Sequence, residues 1–295
     1  MDSKHYTLII NNIQLMILKD TYKRTIEKFS AFQVSDPRNF DFPAEKYSKF
    51  KFGSTNIARE FGYTLADRFI NQLFKFSYSG KPIVVLPSAY SHIPTASYFM
   101  AIHFIDKLNQ FLYENDYSPV ETGKISRSIT YREDYGEMTA EERYNLIKGD
   151  KFHIDEALLK NKILIFLDDI KITGTHERII IKMLDDYNIQ NHCYMLYFAE
   201  LTDPSICPKT ENYLNHYFVK SVSDLYSIIN REDFEFNTRI VKYILNSKEE
   251  DCRQFLRKQS KSFINKLYYK ALGNEYYKFP EYTVNLRAIE ELVSE

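Results

Sequence analysis

The chain has 295 residues, with 39 basic and 40 acidic side chains and a formal net charge of −1. This balance argues against a dedicated nucleic-acid binder, which carries a basic domain or stripe. Hydrophobic residues make up 44% and charged residues 27%, as in ordinary soluble globular proteins. The length suits one α/β core with added segments better than two full domains.

The three cysteines, Cys193, Cys207 and Cys252, are far apart and odd in number. They indicate neither a disulfide framework nor a metal-ligand spacing. Met1–Lys4 lacks the basic start of a signal peptide, and no apolar run approaches the ~18 residues of a membrane span. We therefore expect a cytoplasmic protein whose partners include neither nucleic acid nor a membrane.

The first of three regions, residues 1–80, is predicted to be an N-terminal flank, or hood, built from a hairpin and a helix. The runs Tyr6–Ile10 and Ile13–Leu18 surround an Asn-Asn pair, a pattern typical of a hairpin. A helix is predicted from an N-cap at Ser54 to about Phe74. Apolar residues recur at four-residue spacing on one face of this helix: Ile57, Phe61, Leu65, Phe69 and Leu73.

The second region, residues 81–201, alternates predicted strands and helices. The predicted strands are Ile83–Leu86, Lys124–Thr130, Ile163–Leu167 and Cys193–Ala199. Helices are predicted at about Thr95–Tyr113 and Glu177–Tyr187. Strands flanked by helices imply βαβ units and a parallel sheet with right-handed crossovers. Continuous apolar strands fit a sheet that is covered on both faces.

The third region, residues 202–295, is predicted to be a mostly helical flank. Its candidate helices are Asp224–Ile229, Arg239–Leu245, Cys252–Leu272 and Leu286–Val293. The most basic stretch, Arg253–Lys270, carries its charges at helical intervals among apolar residues. We interpret it as a solvated helix face.

The most informative stretch runs from Ile163 to His176 and combines an apolar strand, two carboxylates and a Thr-Gly-Thr turn. In an open α/β sheet, ligands bind beyond the carboxyl ends of the strands. Backbone N–H groups at the start of the following helix can hold a phosphate, and Gly174 lets the backbone approach it. The carboxylates of Asp168 and Asp169 can accept hydrogen bonds from vicinal ribose hydroxyls or hold a hydrated Mg²⁺. The pattern predicts a sugar-phosphate site.

Other classes of protein also carry an apolar strand that ends in acidic residues. The haloacid-dehalogenase pattern needs a second Asp two positions after the nucleophile, where this chain has Ile170 or Lys171. A receiver domain would place its acidic pair near the N-terminus of a much shorter chain. The P-loop and dinucleotide fingerprints are absent, since the eight glycines are scattered. The plain alternative, two acidic residues that only cap a helix, stays open.

The segment resembles the phosphoribosyl pyrophosphate signature of type I phosphoribosyltransferases, in which four or five apolar residues precede two acidic ones and a Thr-Gly turn. The upstream order, with Arg132, then Met138–Asn145, then Phe152, is similar to the ComF-like branch. The resemblance spans about residues 81–201. It implies a parallel α/β, Rossmann-like phosphoribosyltransferase core with helical N- and C-terminal additions.

The resemblance also implies roles for individual residues. The turn would hold the 5′-phosphate through Lys171, Ile172, Thr173, Gly174, Thr175 and His176. The loop after the first core strand would bind pyrophosphate through Ser88, Ala89, Tyr90 and Ser91; His92 is a weaker candidate. Asp168 and Asp169 would hold the ribose hydroxyls and, directly or through water, Mg²⁺; with Arg132 they are the predicted catalytic residues.

Lys124–Gly149 matches, by the same resemblance, the mobile loop that closes over the substrate. Its arginines are candidates to neutralise the pyrophosphate: Arg127, Arg132 and Arg143. Within it, Tyr131–Gly149 is predicted to be mobile without ligand.

The implied activity is Mg²⁺-dependent transfer of phosphoribose to a nitrogenous, nucleobase-like acceptor, with release of pyrophosphate. Two positions depart from the family pattern: the pyrophosphate loop lacks glycines and a basic residue, and the turn ends in His176 instead of a small hydroxyl residue. A non-catalytic sugar-phosphate or nucleotide sensor on the same fold therefore stays as the alternative. The expected partner is a small-molecule substrate, and a homodimer is the assembly to test.

Overall fold

The computed structural model describes residues 24–36, 40–127, 152–203 and 209–294. Its strands, in chain order, are β1 (Ile26–Val34), β2 (Ile83–Pro87), β3 (Glu121–Thr122), β4 (Ser126–Arg127), β5 (Phe152–His153), β6 (Ile163–Lys171) and β7 (Cys193–Leu201). Within the described residues, five parallel strands form the central sheet in the order β1-β7-β6-β2-β3. The antiparallel pair β4-β5 lies outside it. The predicted α/β class with a parallel sheet is confirmed.

Helices flank the sheet and make up most of the C-terminal third. Those before β7 are α1 (Ala44–Lys51), α2 (Thr55–Phe69), α3 (Ala96–Glu114), α4 (Glu156–Leu159) and α5 (Thr175–Asp186). Helix α2 continues through a π-helical turn, Ile70–Phe74, and a last turn, Lys75–Ser77. The later helices are α6 (Thr210–Asn215), α7 (Tyr226–Ile229), α8 (Thr238–Leu245), α9 (Glu249–Leu256), α10 (Lys261–Gly273) and α11 (Pro280–Ser294). The 3₁₀ turns are Val222–Leu225 and Tyr276–Lys278. No helix within the described ranges is long and apolar enough to cross a membrane.

Successive side chains of β6 alternate between two buried layers, as the pleat of a strand requires. Ile163 and Ile165 pack in the layer that contains α2 and α3. Leu164 and Phe166 pack in the opposite layer, with Met183 of α5. The strand is buried on both faces, which explains its continuous apolar sequence.

Local sequence patterns located most of the core elements. The predicted strands that became β2, β6 and β7 are confirmed, and so are the helices that became α2, α3 and α5. Helix α2 begins after Ser54, at the predicted N-cap. The predicted hairpin in Tyr6–Leu18 lies outside the described residues, and the division of the chain at residues 81 and 202 stays a prediction.

The predicted core strand Lys124–Thr130 is wrong. The sheet strand at this position is Glu121–Thr122, whose two side chains are exposed and give no apolar signal. Ser126–Arg127 instead pairs with β5 outside the sheet. Residues 128–130 are not among those described.

Two further features differ from the predictions. Strand β1, at the edge of the sheet beside β7, was not predicted, because polar residues such as Lys28 and Ser30 interrupt its apolar pattern. The single helix predicted at Cys252–Leu272 is two helices, α9 and α10. Ser260 caps the second by accepting a hydrogen bond from the backbone N–H of Phe263 at 3.2 Å.

The C-terminal third has its own apolar cluster, built mainly from α8 to α11, and it is docked on the core. Asp233 caps the start of α2: its carboxylate accepts from the Ser54 hydroxyl at 2.8 Å and from the Asn56 N–H at 3.2 Å. Gly53 has φ +105°, and a Cβ there would overlap the carbonyl oxygen of Glu235. The α1–α2 turn and the segment before α8 therefore touch backbone to backbone.

Candidate functional site

A cavity of about 450 Å³ lies at the carboxyl end of β6. One part of its wall is the continuous segment from Asp168 to Glu177. Ser88 and Ala89 of the loop after β2 and Lys51 at the end of α1 contribute further parts. Helices α6 and α8 also contribute to the wall. The C-terminal third therefore takes part in the cavity, whereas every site residue named from the sequence lies in residues 81–201.

Strand β6 runs four residues past the end predicted for it at Leu167. Asp168, Ile170 and Lys171 are still paired with β7, so the acidic pair lies within the strand and not after it. The turn follows, with Gly174 in the left-handed region at φ 67° as the N-cap of α5. This is the conformation that favours glycine, and it directs the chain from strand into helix at the cavity wall.

Asp168 is held by donors on both carboxylate oxygens. The hydroxyl of Ser88 donates to Oδ1 at 2.6 Å, and the N–H of Asp169 donates to the same oxygen at 2.9 Å. Nδ1 of His176 lies 2.8 Å from Oδ2. Burial acts to raise the pKa of Asp168, but the charge and hydrogen bond of His176 and the other donors lower it below its ordinary value. Asp168 is therefore a carboxylate at neutral pH.

Asp169 is engaged with α1. Its Oδ2 accepts a hydrogen bond from the hydroxyl of Tyr47 at 2.6 Å and forms a salt bridge with the ammonium of Lys51. Burial raises the pKa of Asp169, and the adjacent charge of Asp168 adds to the rise against the opposing effect of Lys51. This carboxyl group lines the cavity, but it also anchors α1 to the central strand.

Two residues predicted to hold the 5′-phosphate have partners within the protein. The ammonium of Lys171 lies 2.7 Å from a carboxylate oxygen of Glu200 and 3.2 Å from one of Glu177. His176 is paired with Asp168. The backbone N–H groups of the turn and the first turn of α5 are the donors that an anion there would meet, because the first N–H groups of a helix have no intrahelical acceptor.

The hydroxyls of this turn are close together. Oγ1 of Thr173 lies 2.9 Å from Oγ1 of Thr175, and Arg178 donates to the Thr175 hydroxyl at 3.0 Å. Ile172 and Gly174 line the cavity beside them. The hydroxyls of Thr173 and Thr175 thus have contacts within the protein, and the role of this turn in holding a 5′-phosphate stays a prediction.

One part of the predicted pyrophosphate loop lines the cavity and the other part does not. Ser88 and Ala89 line the cavity, whereas Tyr90 and Ser91 are not part of its wall. The ring of Tyr90 packs against Tyr98, and its N–H donates to a backbone carbonyl at 3.3 Å. The N–H of His92 donates to Oδ1 of Asn274 at 2.9 Å. Much of the loop's donor capacity is thus used inside the protein.

Several wall residues were missed from the sequence. They include Lys51 of α1, Glu211 and Asn212 of α6, His216, and Arg239, Lys242, Tyr243 and Asn246 on or just after α8. The one available signal was in α8, where positions 239, 242, 243 and 246 lie on one helical face opposite buried Ile240, Val241 and Ile244. Arg127, a predicted candidate, does line the cavity. Arg132, Arg143 and most of Lys124–Gly149 lie outside the described residues.

No group of three or more His, Cys, Asp or Glu side chains in the described part of the chain forms a ready metal site. Asp168 and Asp169 are adjacent carboxylates on the cavity wall. As successive residues of β6 they point to opposite faces of the strand, and Asp169 is bound to Tyr47 and Lys51. Asp168 is therefore the carboxylate that would contact, through water, an Mg²⁺ carried by substrate phosphates, since this ion is usually bound by one or two carboxylates.

A parallel sheet with an acidic strand end, a glycine turn and a helix N-terminus at one cavity defines an α/β protein of the phosphoribosyltransferase type. The comparison with known protein families agrees. A sequence model described as PRTase ComF-like matches residues 26–289, so the chain belongs to the ComF-like phosphoribosyltransferase family. The resemblance found in the sequence is confirmed, and it extends well beyond residues 81–201.

Among solved structures, the chain is similar to a hypoxanthine phosphoribosyltransferase from Staphylococcus aureus, at 15% identity and a TM-score of 0.32. The match covers 49% of this chain and 75% of that one. No curated protein matches the chain.

Proposed function

We propose that the cavity binds phosphoribosyl pyrophosphate with Mg²⁺, and that the protein transfers the phosphoribosyl group to a nitrogenous, nucleobase-like acceptor. The observation that carries the proposal is the segment Asp168–Thr175. It brings an ionised carboxylate and a glycine turn that opens a helix to one cavity wall. Membership of the ComF-like phosphoribosyltransferase family supports it.

In this reaction the bond from C1′ of the ribose to the diphosphate oxygen breaks, and a bond from the acceptor nitrogen to C1′ forms. Positive charge builds on the ribose ring as pyrophosphate leaves. The turn Ile172–Thr175 holds the 5′-phosphate through its backbone N–H groups, which fixes the ribose relative to Asp168. Asp168 accepts a hydrogen bond from a ribose hydroxyl, and its negative charge lies on the side where positive charge develops.

The charge of Asp169 is compensated by Lys51, so Asp169 stabilises positive charge on the ribose less than Asp168 does. A hydrated Mg²⁺ carried by the diphosphate would contact Asp168 through water and neutralise part of the leaving group's charge. The predicted roles of Arg132 and of closure by Lys124–Gly149 belong to the same proposal.

A non-catalytic sensor of sugar phosphates or nucleotides is the second candidate. The engaged donors of the loop after β2 favour it, because the N–H groups of Ser88, Tyr90 and His92 already have partners in the protein. A sensor needs to bind the ligand but not to stabilise departing pyrophosphate.

Calorimetry with phosphoribosyl pyrophosphate and Mg²⁺ tests binding, and a coupled pyrophosphate assay across purine and pyrimidine bases tests transfer. We expect binding by the wild type, and loss of roughly 1.5–3 kcal/mol of binding energy in Asp168→Asn, the size of a charge-assisted hydrogen bond. We also expect pyrophosphate release with the right acceptor. Arg132→Ala should lower turnover more than binding.

The matched control is Arg257→Ala, which changes an exposed arginine outside the cavity wall. A folded wild type that gives no heat with the ligand contradicts the proposed function. Tight binding without pyrophosphate release for any acceptor contradicts the transferase and favours the sensor.

A further inference from the structure

The loop after β2 has few donors left for a diphosphate. The N–H of Ser88 donates to the Leu167 carbonyl at 3.1 Å, and its hydroxyl donates to Asp168. The N–H groups of His92 and Ile93 both donate to Oδ1 of Asn274 at 2.9 Å. A group with several negative charges therefore needs donors and positive charge from another part of the cavity wall.

Helix α8 presents a basic face to the cavity. Arg239 and Lys242 are three positions apart, hence on the same side of the helix, and both line the cavity. The other side of α8 is buried in the C-terminal apolar cluster. The acidic side chain that α6 and α8 contribute to the cavity wall within the described residues is Glu211, so this part of the wall has a net positive charge.

The start of α8 is fixed to both neighbouring parts of the site. The side-chain amide of its N-cap, Asn237, donates to the Lys51 carbonyl at 3.0 Å. The hydroxyl of Thr238 donates to the Ile93 carbonyl at 2.8 Å, and its N–H donates to the Pro94 carbonyl at 2.9 Å. These hydrogen bonds fix the start of α8 relative to α1 and to the loop after β2 in the absence of a ligand.

We propose that Arg239 and Lys242 of α8 contribute to the subsite for the diphosphate of the substrate, beside the loop after β2. This inference rests on the proposed function. A guanidinium offers a planar pair of donors that matches phosphate oxygens, and an ammonium adds a compact charge beside it. Both interactions are stronger in a cavity than in open water, because the local dielectric constant is lower.

The test titrates the full-length protein with three probes in the presence of Mg²⁺: phosphoribosyl pyrophosphate, ribose 5-phosphate and inorganic pyrophosphate. The pyrophosphate titration is repeated with saturating ribose 5-phosphate, which keeps the 5′-phosphate turn occupied. The variants are Lys242→Gln and Arg239→Gln. Lys248→Gln is the matched control, because Lys248 is exposed and is not part of the cavity wall.

Each of the two α8 variants should bind phosphoribosyl pyrophosphate and pyrophosphate at least about tenfold more weakly, the effect of losing one charge-assisted contact. Affinity for ribose 5-phosphate should change by less than about twofold, since that ligand carries no diphosphate. The control should bind all three probes like the wild type. Thermal unfolding of each variant establishes that it is folded. Nζ of Lys242 also lies 5.9 Å from the ring centroid of Tyr276, so Lys242→Gln removes a contact within the protein as well. Arg239→Gln leaves that contact in place and therefore tests the subsite separately.

Three outcomes overturn the inference and leave the proposed function in place, provided that the wild type binds ribose 5-phosphate. The first is pyrophosphate binding by both variants at wild-type strength. The second is an equal loss for ribose 5-phosphate, which would assign α8 to the 5′-phosphate. The third is unchanged ligand binding with a raised KM for the acceptor, which would assign the basic face to an acidic acceptor. A wild type that binds none of the three probes overturns the proposed function itself.

Discussion

Nδ1 of His176 lies 2.8 Å from Oδ2 of Asp168, so the first turn of α5 is bound to the first carboxylate of the preceding strand. Because the pKa of Asp168 is lowered, Asp168 is the acceptor and Nδ1 of His176 carries the proton. The position that departs from the family pattern therefore has a defined task. It holds the carboxylate that we assign to the ribose.

This pair should make stability depend on pH in the acid range. A carboxylate whose pKa is lower in the folded chain stabilises the fold above its ordinary value of 3.8, and this contribution is lost as the pH falls through the folded value. His176→Phe should lower the free energy of unfolding by about 1–2 kcal/mol near neutral pH. The difference from wild type should shrink between about pH 5 and about pH 2.

Urea unfolding at a series of pH values measures this difference. His153→Phe is the control, because His153 is exposed. The raised pKa of Asp169 acts in the opposite sense, but its contacts with Tyr47 and Lys51 are retained in both proteins. A difference that stays constant across the acid range would remove Asp168 as its source.

Removal of one partner of the Lys51–Asp169 salt bridge should lower the free energy of unfolding strongly. Both side chains are about one-tenth exposed, and removal of one partner leaves a buried charge without compensation. Lys51→Met should destabilise the protein by about 3–5 kcal/mol in denaturant unfolding. The double variant Lys51→Met/Asp169→Asn should recover part of that loss, because no buried charge then remains.

Lys46 provides the control on the same helix. Its salt bridge with Glu60 is 2.7 Å long but about half exposed, so Lys46→Met should cost less than about 1 kcal/mol. Equal costs for Lys46→Met and Lys51→Met would mean that the Asp169 contact has no special role.

Gly53 and Gly80 should respond differently to the same substitution. Both have positive φ, +105° and +76°. A Cβ at Gly53 would overlap a backbone carbonyl, whereas at Gly80 the nearest atom is a Tyr117 ring carbon at 3.5 Å. We expect Gly53→Ala to cost at least about 2 kcal/mol and Gly80→Ala about 1 kcal/mol, measured by thermal or denaturant unfolding. The reverse order would contradict the close packing of the α1–α2 turn against the segment before α8.

The two buried cysteines should be unreactive in the native protein. Burial raises the pKa of the Cys193 thiol to about 12 and that of the Cys252 thiol to about 11, and the thiolate is the reactive form. In a Cys207→Ser variant, a chromogenic disulfide reagent at about pH 8 should detect no fast-reacting thiol until denaturant is added. A rapid reaction of the folded variant would show that one of these sites opens.

The core of the fold could be predicted because its signals are local. Strand β6 is a continuous apolar run, and α2 carries an apolar face at four-residue spacing. Strands β1 and β3 lack such signals, because each lies at an edge of the sheet as described and is partly polar. Pairing with a distant strand, not its own pattern, determines the position of an edge strand.

The same distinction applies to the site. The acidic pair and Gly174 are contiguous in sequence, so a motif could identify them. Lys51 is 118 positions from Asp169, and no spacing relates the two. The basic face of α8 lies outside residues 81–201, where the sequence motifs lie. Only the folded chain brings these three parts of the cavity wall together.

The hydrogen bonds between Asn274 and the loop after β2 also have a consequence for folding during translation. The partner of Asn274 in the loop, His92, precedes it by 182 positions, and a ribosome adding about 5–20 residues per second needs roughly 10–40 s to make the intervening chain. For that interval the nascent loop lacks Asn274, and until residue 238 has been added it also lacks its contact with Thr238 of α8. The cavity therefore acquires its working shape after Asn274 has been synthesised, and a ribosome stalled between these two positions would display a core whose ligand site is unfinished.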